Sequence, residues 1–415
     1  MRNIYDLTEK KSTIEKFIYS ILIFLSSISV TQLPNFYWFY LIFIIGISII
    51  LYYFFQNRKN IKDILLKKEF KIASMFIITE LCVVIYSYLV MLFAPYNYIM
   101  DGSFSRTLSI FIYLTITIIE AFCVVDYFGK KTAVRLTLLG IISNYLLSII
   151  ISIVGCNFNL SIIINYLLGE NVKGNNIVLE AHELAPCFAS GIIFLLMNNT
   201  FQKKEKNVFL VVLSIFIILC GKRIITFSLI LIVLFYFIYI KLLSRFETKI
   251  FPILSYIEIL LGYFYVYLIK SEIFFKIIYS LGINTMQRDT LYKAMGYYYD
   301  FSPIFLGKGS GFTSKWLDNN WMNINIYGAT SALGLHNDFL RHYIELGFFG
   351  FLAYLVSLLL IIPYKIKQYF GIKSTIKYTF LCAFQLICWT VDQITVYYIF
   401  QFFFFVMLFS SLERN

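Results

Sequence analysis

The fold class this sequence predicts is a polytopic, all-α membrane bundle, and three observations predict it. Of its 415 residues, 60% are hydrophobic and only 14% are charged. Apolar runs long enough to cross about 30 Å of hydrocarbon recur along the whole chain. The basic residues between those runs gather on alternate connections, as they do when cytoplasmic loops retain Lys and Arg. Taken in order, the runs predict twelve helices, near 17–33, 36–55, 72–95, 107–126, 137–155, 181–199, 208–220, 224–240, 250–269, 346–363, 378–391 and 393–411. The first run follows a charged segment and lacks an evident small-residue cleavage site, so it is expected to be a retained helix rather than a signal peptide.

Placing both termini in the cytoplasm puts 24 of the 35 basic residues on that side, including Lys16, the cluster from Arg58 to Lys71, Lys130, Lys131, Arg135, Lys203, Lys204 and Lys206. The opposite orientation would translocate all of them. The net charge of +12 therefore reads as a topology signal and not as a nucleic-acid-binding surface. None of the seven cysteines belongs to a CxxC pair. Cys156 and Cys187 are the two that an outer disulfide could join, but packed, unpaired thiols are the expectation.

No linker and no internal repeat interrupts residues 1–415, which read as one helical bundle. The cytoplasmic connections are short, while the outer side carries two longer segments, 156–180 and a stretch of roughly 75 residues at 270–345. The latter has room for chemistry. It holds Arg288, Lys293, Lys308, Lys315 and Arg341 with Asp289, Asp300, Asp318, Asp338 and Glu345, and a turn, Leu306-Gly307-Lys308-Gly309-Ser310-Gly311-Phe312, whose glycines let a backbone approach a neighbour closely. Such a turn either cradles a phosphate, with Lys308 beside it, or simply connects.

The tract from Gly334 to Gly347 packs two of the three histidines and several charges against an apolar helix, where charge is costly. Asp338, Arg341, His342 and Glu345 fall at i, i+3, i+4 and i+7, so one face carries them all, with Asp338 expected to pair with His342 and Arg341 with Glu345. His336 and Asn337 are then left at the helix start, facing a cavity. The same spacing also suits an interfacial helix whose charges meet headgroups. Upstream, Cys220-Gly221-Lys222-Arg223 places two cations at the outer face, which calls for an anion: lipid headgroup phosphate or a substrate pyrophosphate. His182 and Glu183, following Glu180 at the outer start of the sixth run, are either substrate contacts or a capped, paired helix start.

The ordered set Gly221-Lys222-Arg223, Gln287-Arg288-Asp289, Pro303 through Gly307-Lys308-Gly309, His336-Asn337-Asp338-Phe339-Leu340 and Glu345-Leu346-Gly347 resembles the O-antigen ligase and polymerase superfamily. The resemblance covers roughly residues 220–355. It implies a GT-C-like bundle in a bacterial inner (cytoplasmic) membrane with an extracytoplasmic active site. It further implies a donor glycan carried on undecaprenyl pyrophosphate and, for a Wzy-type polymerase, an acceptor that is a second lipid-linked repeat unit. A flippase and a chain-length regulator of the same pathway would be partners. On this reading Arg223 and Arg288 stabilise the departing pyrophosphate, with Lys222 and Arg341 helping. His336 takes the proton of the attacking hydroxyl, imidazole being suited to base chemistry near neutral pH. Asn337 orients sugar hydroxyls, while Glu345 and Asp338 are structural. The acidic pair that many metal-using GT-C enzymes carry near the first outer loop is missing from Leu33-Pro34-Asn35, so neither a metal nor another cofactor is expected.

Two other classes compete. A ligase would pass the glycan to a lipid A core or another surface anchor. A lipid-linked oligosaccharide flippase would use intramembrane acids, and Glu80, Glu120 and Glu258 lie within apolar runs. The long outer segment favours an enzyme, and the Ile-, Phe-, Tyr- and Asn-rich composition favours a polymerase.

Overall fold

The computed structural model describes residues 12–28, 38–93, 103–167, 177–283, 285, 287–320, 322 and 334–413. Leu33-Pro34-Asn35, Trp321 and the terminal cations Arg2, Lys10, Lys11 and Arg414 lie outside the described residues. Every regular element among those described is helical. In chain order these are α1 (Thr13–Ser26), α2 (Trp38–Gln56), α3 (Ile61–Leu66), α4 (Lys68–Phe93), α5 (Ser103–Phe128), α6 (Lys130–Gly155), α7 (Leu160–Leu167), α8 (Leu184–Met197) and α9 (Lys203–Leu219). There follow α10 (Arg223–Ile238), α11 (Glu247–Lys270), α12 (Ile273–Ser280), α13 (Arg288–Gly296), α14 (Phe312–Asn320), α15 (Asp338–Val356), α16 (Ile362–Phe370), α17 (Ile372–Trp389) and α18 (Tyr398–Ser411). The segment at 270–345 contains three short helices of its own, α12, α13 and α14.

Each of the twelve apolar runs contains a helix, but the helices differ in reach. Six among the described residues are long and apolar enough to cross a membrane, and a seventh joins them if α2 and the segment that follows it, bent by 75°, form one span. The protein is therefore an all-helical chain whose long apolar helices fit a polytopic membrane protein. α8 and α18, at 14 residues each, are apolar but short. At 1.5 Å rise per residue each covers about 21 Å, less than the hydrocarbon thickness.

Two compact units make up the chain. The first combines the described parts of Met1–Ala73, Ile116–Lys241 and Tyr397–Asn415. Here α1 packs on α6 and α8 on α9, while α18 lies against both α6 and α8 with nearly all its side chains buried. The α1–α6 crossing is tight because Gly140 occupies it: a Cβ there would come within 2.6 Å of Ile23. α1 starts with a capping box, Ser12 Oγ accepting from the Glu15 N–H (3.1 Å) while Glu15 Oε2 accepts from the Ser12 N–H (2.9 Å). Glu15 Oε1 also accepts from the Tyr52 and Tyr127 hydroxyls (2.8 and 2.7 Å), and these bonds hold its carboxyl down at about 2. All seven cysteines are free thiols.

The second unit combines Ser74–Thr115 and Leu242–Val396. α11 packs against α15 and α17, and α14 rests on α15. α15 is broken. Gly347 sits at φ 68°, ψ −172° inside it, which frees backbone groups that the helix would otherwise use. The glycine turn fills the gap: the Lys308 and Gly309 N–H groups donate to the Ile344 and Glu345 carbonyls (both 2.9 Å), and the Phe348 N–H donates to the Phe305 carbonyl (2.8 Å). Gly307 and Gly309 adopt φ of 90° and 84°, conformations open to glycine. The close approach read from these glycines is therefore made to another backbone of the same chain.

Because a Cβ at Gly307 would lie 2.5 Å from the Glu345 carbonyl oxygen, Gly307→Ala should destabilise by well over the roughly 1–2 kcal/mol that left-handed backbone alone costs an L-residue. Gly282 has similar φ (64°) and open space around it, so Gly282→Ala should cost only that backbone term. Thermal unfolding of both variants in detergent separates the two effects; equal losses would contradict the docking of the turn on α15.

Candidate functional site

Asn337 opens α15. Its side-chain oxygen accepts from the Leu340 N–H (2.9 Å), satisfying one of the helix's orphan donors, and its Nδ2 donates to the Tyr265 hydroxyl (3.0 Å). The residue is fully buried, so this amide is engaged in the fold and does not face the cavity expected for it. Tyr265, from α11, in turn donates to the Thr390 carbonyl. The start of α15 and the end of α17 are thereby tied through one phenol.

The expected charge pairs need correction. Asp338 pairs with Arg341 (3.0 Å) and not with His342, while its two oxygens also accept from the Thr395 N–H (3.0 Å) and hydroxyl (2.8 Å). Arg341 Nη2 donates further to Thr395 Oγ1 (2.5 Å) and faces His342 Nε2 (3.1 Å). Glu345 Oε1 accepts from the N–H (3.1 Å) and hydroxyl of Thr313, capping the start of α14. Asp338, Arg341 and Glu345 are all under 5% exposed, so this face is interior and not an interfacial surface. His342 lies against the rings of both Tyr354 and Trp389, at centroid distances of 4.9 and 5.1 Å.

His336 differs from all of these. It is held at φ 51°, a left-handed conformation uncommon for a side-chain-bearing residue, and its carbonyl accepts from the Tyr292 hydroxyl (3.0 Å). Its Nδ1 faces Asp392 Oδ1 at 3.5 Å; Asp392 is 3% exposed and the imidazole 29%. A buried carboxylate against one nitrogen of a partly exposed ring is the arrangement that orients an imidazole for proton transfer. Arg288, the first residue of α13, stands one helical turn before Tyr292. Burial pushes the Tyr292 phenol up to about 12, opposed by Arg288 and reinforced by Asp392, so both charges act on that hydroxyl.

Lys308 lies half-buried with its ammonium 6.0 Å from the Phe305 ring. Burial lowers it to about 8, with Asp300 acting the other way. In the first unit, Lys222 and His182 meet directly: Lys222 Nζ is in contact with His182 Nδ1 and lies 3.3 Å from Glu180 Oε1. Arg223 begins α10 and is exposed. Glu183 stands at the start of α8, where its carbonyl accepts from the Cys187 thiol (3.4 Å). Of the sequence-derived candidates, the second unit thus gathers His336, Arg288, Asn337, Asp338 and Arg341 around the start of α15. Lys222 and His182 form a separate cluster in the first unit.

The residues that sequence reading missed are Asp392, Thr395, Tyr265 and Tyr292. Asp392 had one signal, a lone acid between the runs at 378–391 and 393–411. Among the acids placed within apolar runs, Glu80 accepts from Tyr354 (3.1 Å), Glu120 accepts from Tyr398, and Glu258 Oε2 is buried without a hydrogen-bond partner among the described residues. Comparison of the chain with protein-family models, curated proteins and solved structures finds no match.

Three measurements test this geometry. Removing one member of a buried ion pair strands the other, so Arg341→Met should cost about 3–5 kcal/mol while Arg341→Met combined with Asp338→Leu recovers part of that loss; denaturant unfolding in micelles reads both. For Lys308 the folded state disfavours the charged form, so the unfolded chain binds that proton more tightly and stability should rise between about pH 8 and the ordinary lysine value. Lys308→Gln should flatten that rise. Amine acylation at pH 8, read by peptide mass spectrometry, should label Lys308 ahead of the exposed Lys203 and Lys204.

Proposed function

We propose that this chain is a membrane glycosyltransferase of the O-antigen ligase and polymerase type, extending undecaprenyl-pyrophosphate-linked repeat units into a surface polysaccharide. The observation that carries the reading is the His336–Asp392 pair, with Arg288 placed beyond Tyr292. Twelve spans in a GT-C-like bundle of a bacterial inner membrane, with the second unit's site on the outer side, complete the proposal.

The chemistry follows from those groups. His336 Nε2 accepts the proton of an acceptor sugar hydroxyl as that oxygen attacks the anomeric carbon of the donor glycan. Asp392 balances the imidazolium that forms. The bond from the anomeric carbon to the pyrophosphate oxygen breaks, the electron pair leaves with the lipid pyrophosphate, and in-line attack inverts the anomeric centre. Arg288 meets the charge that grows on the leaving group without a metal. Lys308 is assigned a supporting anion contact in the second unit; Lys222 and Arg223, with His182 against Lys222 and Glu183 next along the chain, are assigned substrate contacts in the first. Arg341, Asp338, Asn337 and Glu345 act as positioning residues, since their polar groups are engaged within the fold.

A flippase is the second reading, favoured by Glu80 and Glu120 inside apolar helices. Deleting the gene in its host and sizing surface glycan and undecaprenyl-linked intermediates separates the classes. A polymerase predicts translocated single repeat units, a ligase predicts long lipid-linked polymer that never reaches its anchor, and a flippase predicts units trapped on the cytoplasmic leaflet. In complementation at equal protein level, His336→Ala and Asp392→Ala should lose polymer by about 10²-fold or more, and Arg288→Lys should retain more than Arg288→Ala. Full-length polymer with His336→Ala would end the catalytic assignment.

A further inference from the structure

The turn after α2 carries a feature that the glycosyl-transfer reading does not use. α2 runs to Gln56, and the chain then bends by 75° into Arg58–Leu66. Asp126 fixes the far end of that segment, accepting from Tyr53 (2.5 Å) and pairing with Lys67 (2.5 Å). If α2 crosses the bilayer, a segment turned by that angle lies nearer to the membrane plane than to its normal.

Its side chains suit that plane. Phe55, Ile61, Leu65 and Leu66 are exposed, at 66, 38, 46 and 66%, while Ile64 alone turns into the protein. Arg58, Lys59 and Lys62 are exposed and make no ion pair among the described residues. At the bend, Phe55, Gln56, Asn57, Arg58, Lys59 and Asn60 line a cavity of about 320 Å³, with the Arg58 guanidinium 5.4 Å from the Phe55 ring centroid. Apolar groups at acyl-chain level, cations at phosphate level and a recess between them match one ligand class.

We propose that the bend at Phe55–Lys62 is a binding site for an anionic phospholipid, with its phosphate against Arg58 and Lys59, its headgroup in the recess and its acyl chains along Leu65 and Leu66. Juxtamembrane cations attract anionic lipid at about 1 kcal/mol each, which is about fivefold in affinity per residue. Charge complementarity selects the anionic class over zwitterionic lipid, and the exposed leucines select a lipid over a soluble phosphate.

The test uses the full-length protein, delipidated in detergent and titrated with phosphatidylglycerol or phosphatidylcholine, with bound lipid counted by native mass spectrometry. Wild type should retain phosphatidylglycerol in preference to phosphatidylcholine. The triple variant Arg58→Gln, Lys59→Gln, Lys62→Gln should bind it on the order of 100-fold more weakly. Lys203→Gln with Lys204→Gln, which removes cations elsewhere, should bind it as wild type does. Leu65→Asn with Leu66→Asn should weaken lipid binding as well. These residues are exposed, so the variants should melt as wild type does in phosphatidylcholine. Unchanged binding by the triple variant overturns the site. Displacement of the lipid by millimolar inorganic pyrophosphate, with the leucine variant unaffected, would make it a soluble-anion site and overturn the lipid assignment.

Discussion

The second unit depends on one constraint, that backbone polar groups set among apolar side chains must find partners inside the protein. The break at Gly347 would leave the Ile344 and Glu345 carbonyls and the Phe348 N–H without them. The turn from Phe305 to Gly309 provides all three bonds, and it comes close enough only because Gly307 and Gly347 lack side chains, a Cβ on the latter meeting Leu306 backbone at 2.2 Å. Much else then follows. With the turn fixed, Ser310 is anchored by its N–H to Ser87 (3.0 Å) and by its carbonyl to Thr107 (2.5 Å). α14 then starts where Glu345 can cap it. Tyr343, on the turn of α15 before the break, stacks on Phe305 and Phe301 at 5.8 Å each, so the upper part of that helix is gripped from the same side.

The other grip on that helix comes from the connection between α17 and α18. Thr395 donates to both oxygens of Asp338 and accepts from the Arg341 guanidinium, so two buried charges are held through one residue. A buried ion pair is no guarantee of stability, because desolvation offsets the attraction. Its value here is positional: it sets the rotation of α15 and hence where His336, two residues before Asp338, emerges. The same connection carries Asp392. One short segment therefore fixes both the helix that bears the imidazole and the carboxylate behind it.

The sequence made the helices legible because the apolar runs are long and period-independent, and it made the start of α15 legible through Asn337. It was silent on partners. Spacing along a helix tells which of Asp338, Arg341, His342 and Glu345 share a face, but what that face meets depends on Thr395 and Thr313, brought in from 57 and 32 residues away. The glycines at 307 and 309 announced close approach without saying to what. The runs at 181–199 and 393–411 are longer than α8 and α18, and hydropathy alone does not separate burial in protein from burial in lipid. The fully buried α18 is the clearest instance.

The acids inside the apolar helices bear on the choice between enzyme and transporter. Glu120 accepts from Tyr398, and Gly46 passes so close that a Cβ there would sit 3.0 Å from the same carboxylate. Glu80 accepts from Tyr354, whose ring stacks parallel to Trp389 (11° between planes). Carboxyls packed this tightly against neighbouring helices behave as ties between them, since a transport site needs room for an ion or its water. His336 has what they lack, a buried acid on one nitrogen of a ring that is itself partly exposed. That contrast is why the proposed chemistry is placed at the start of α15 and not along the membrane interior.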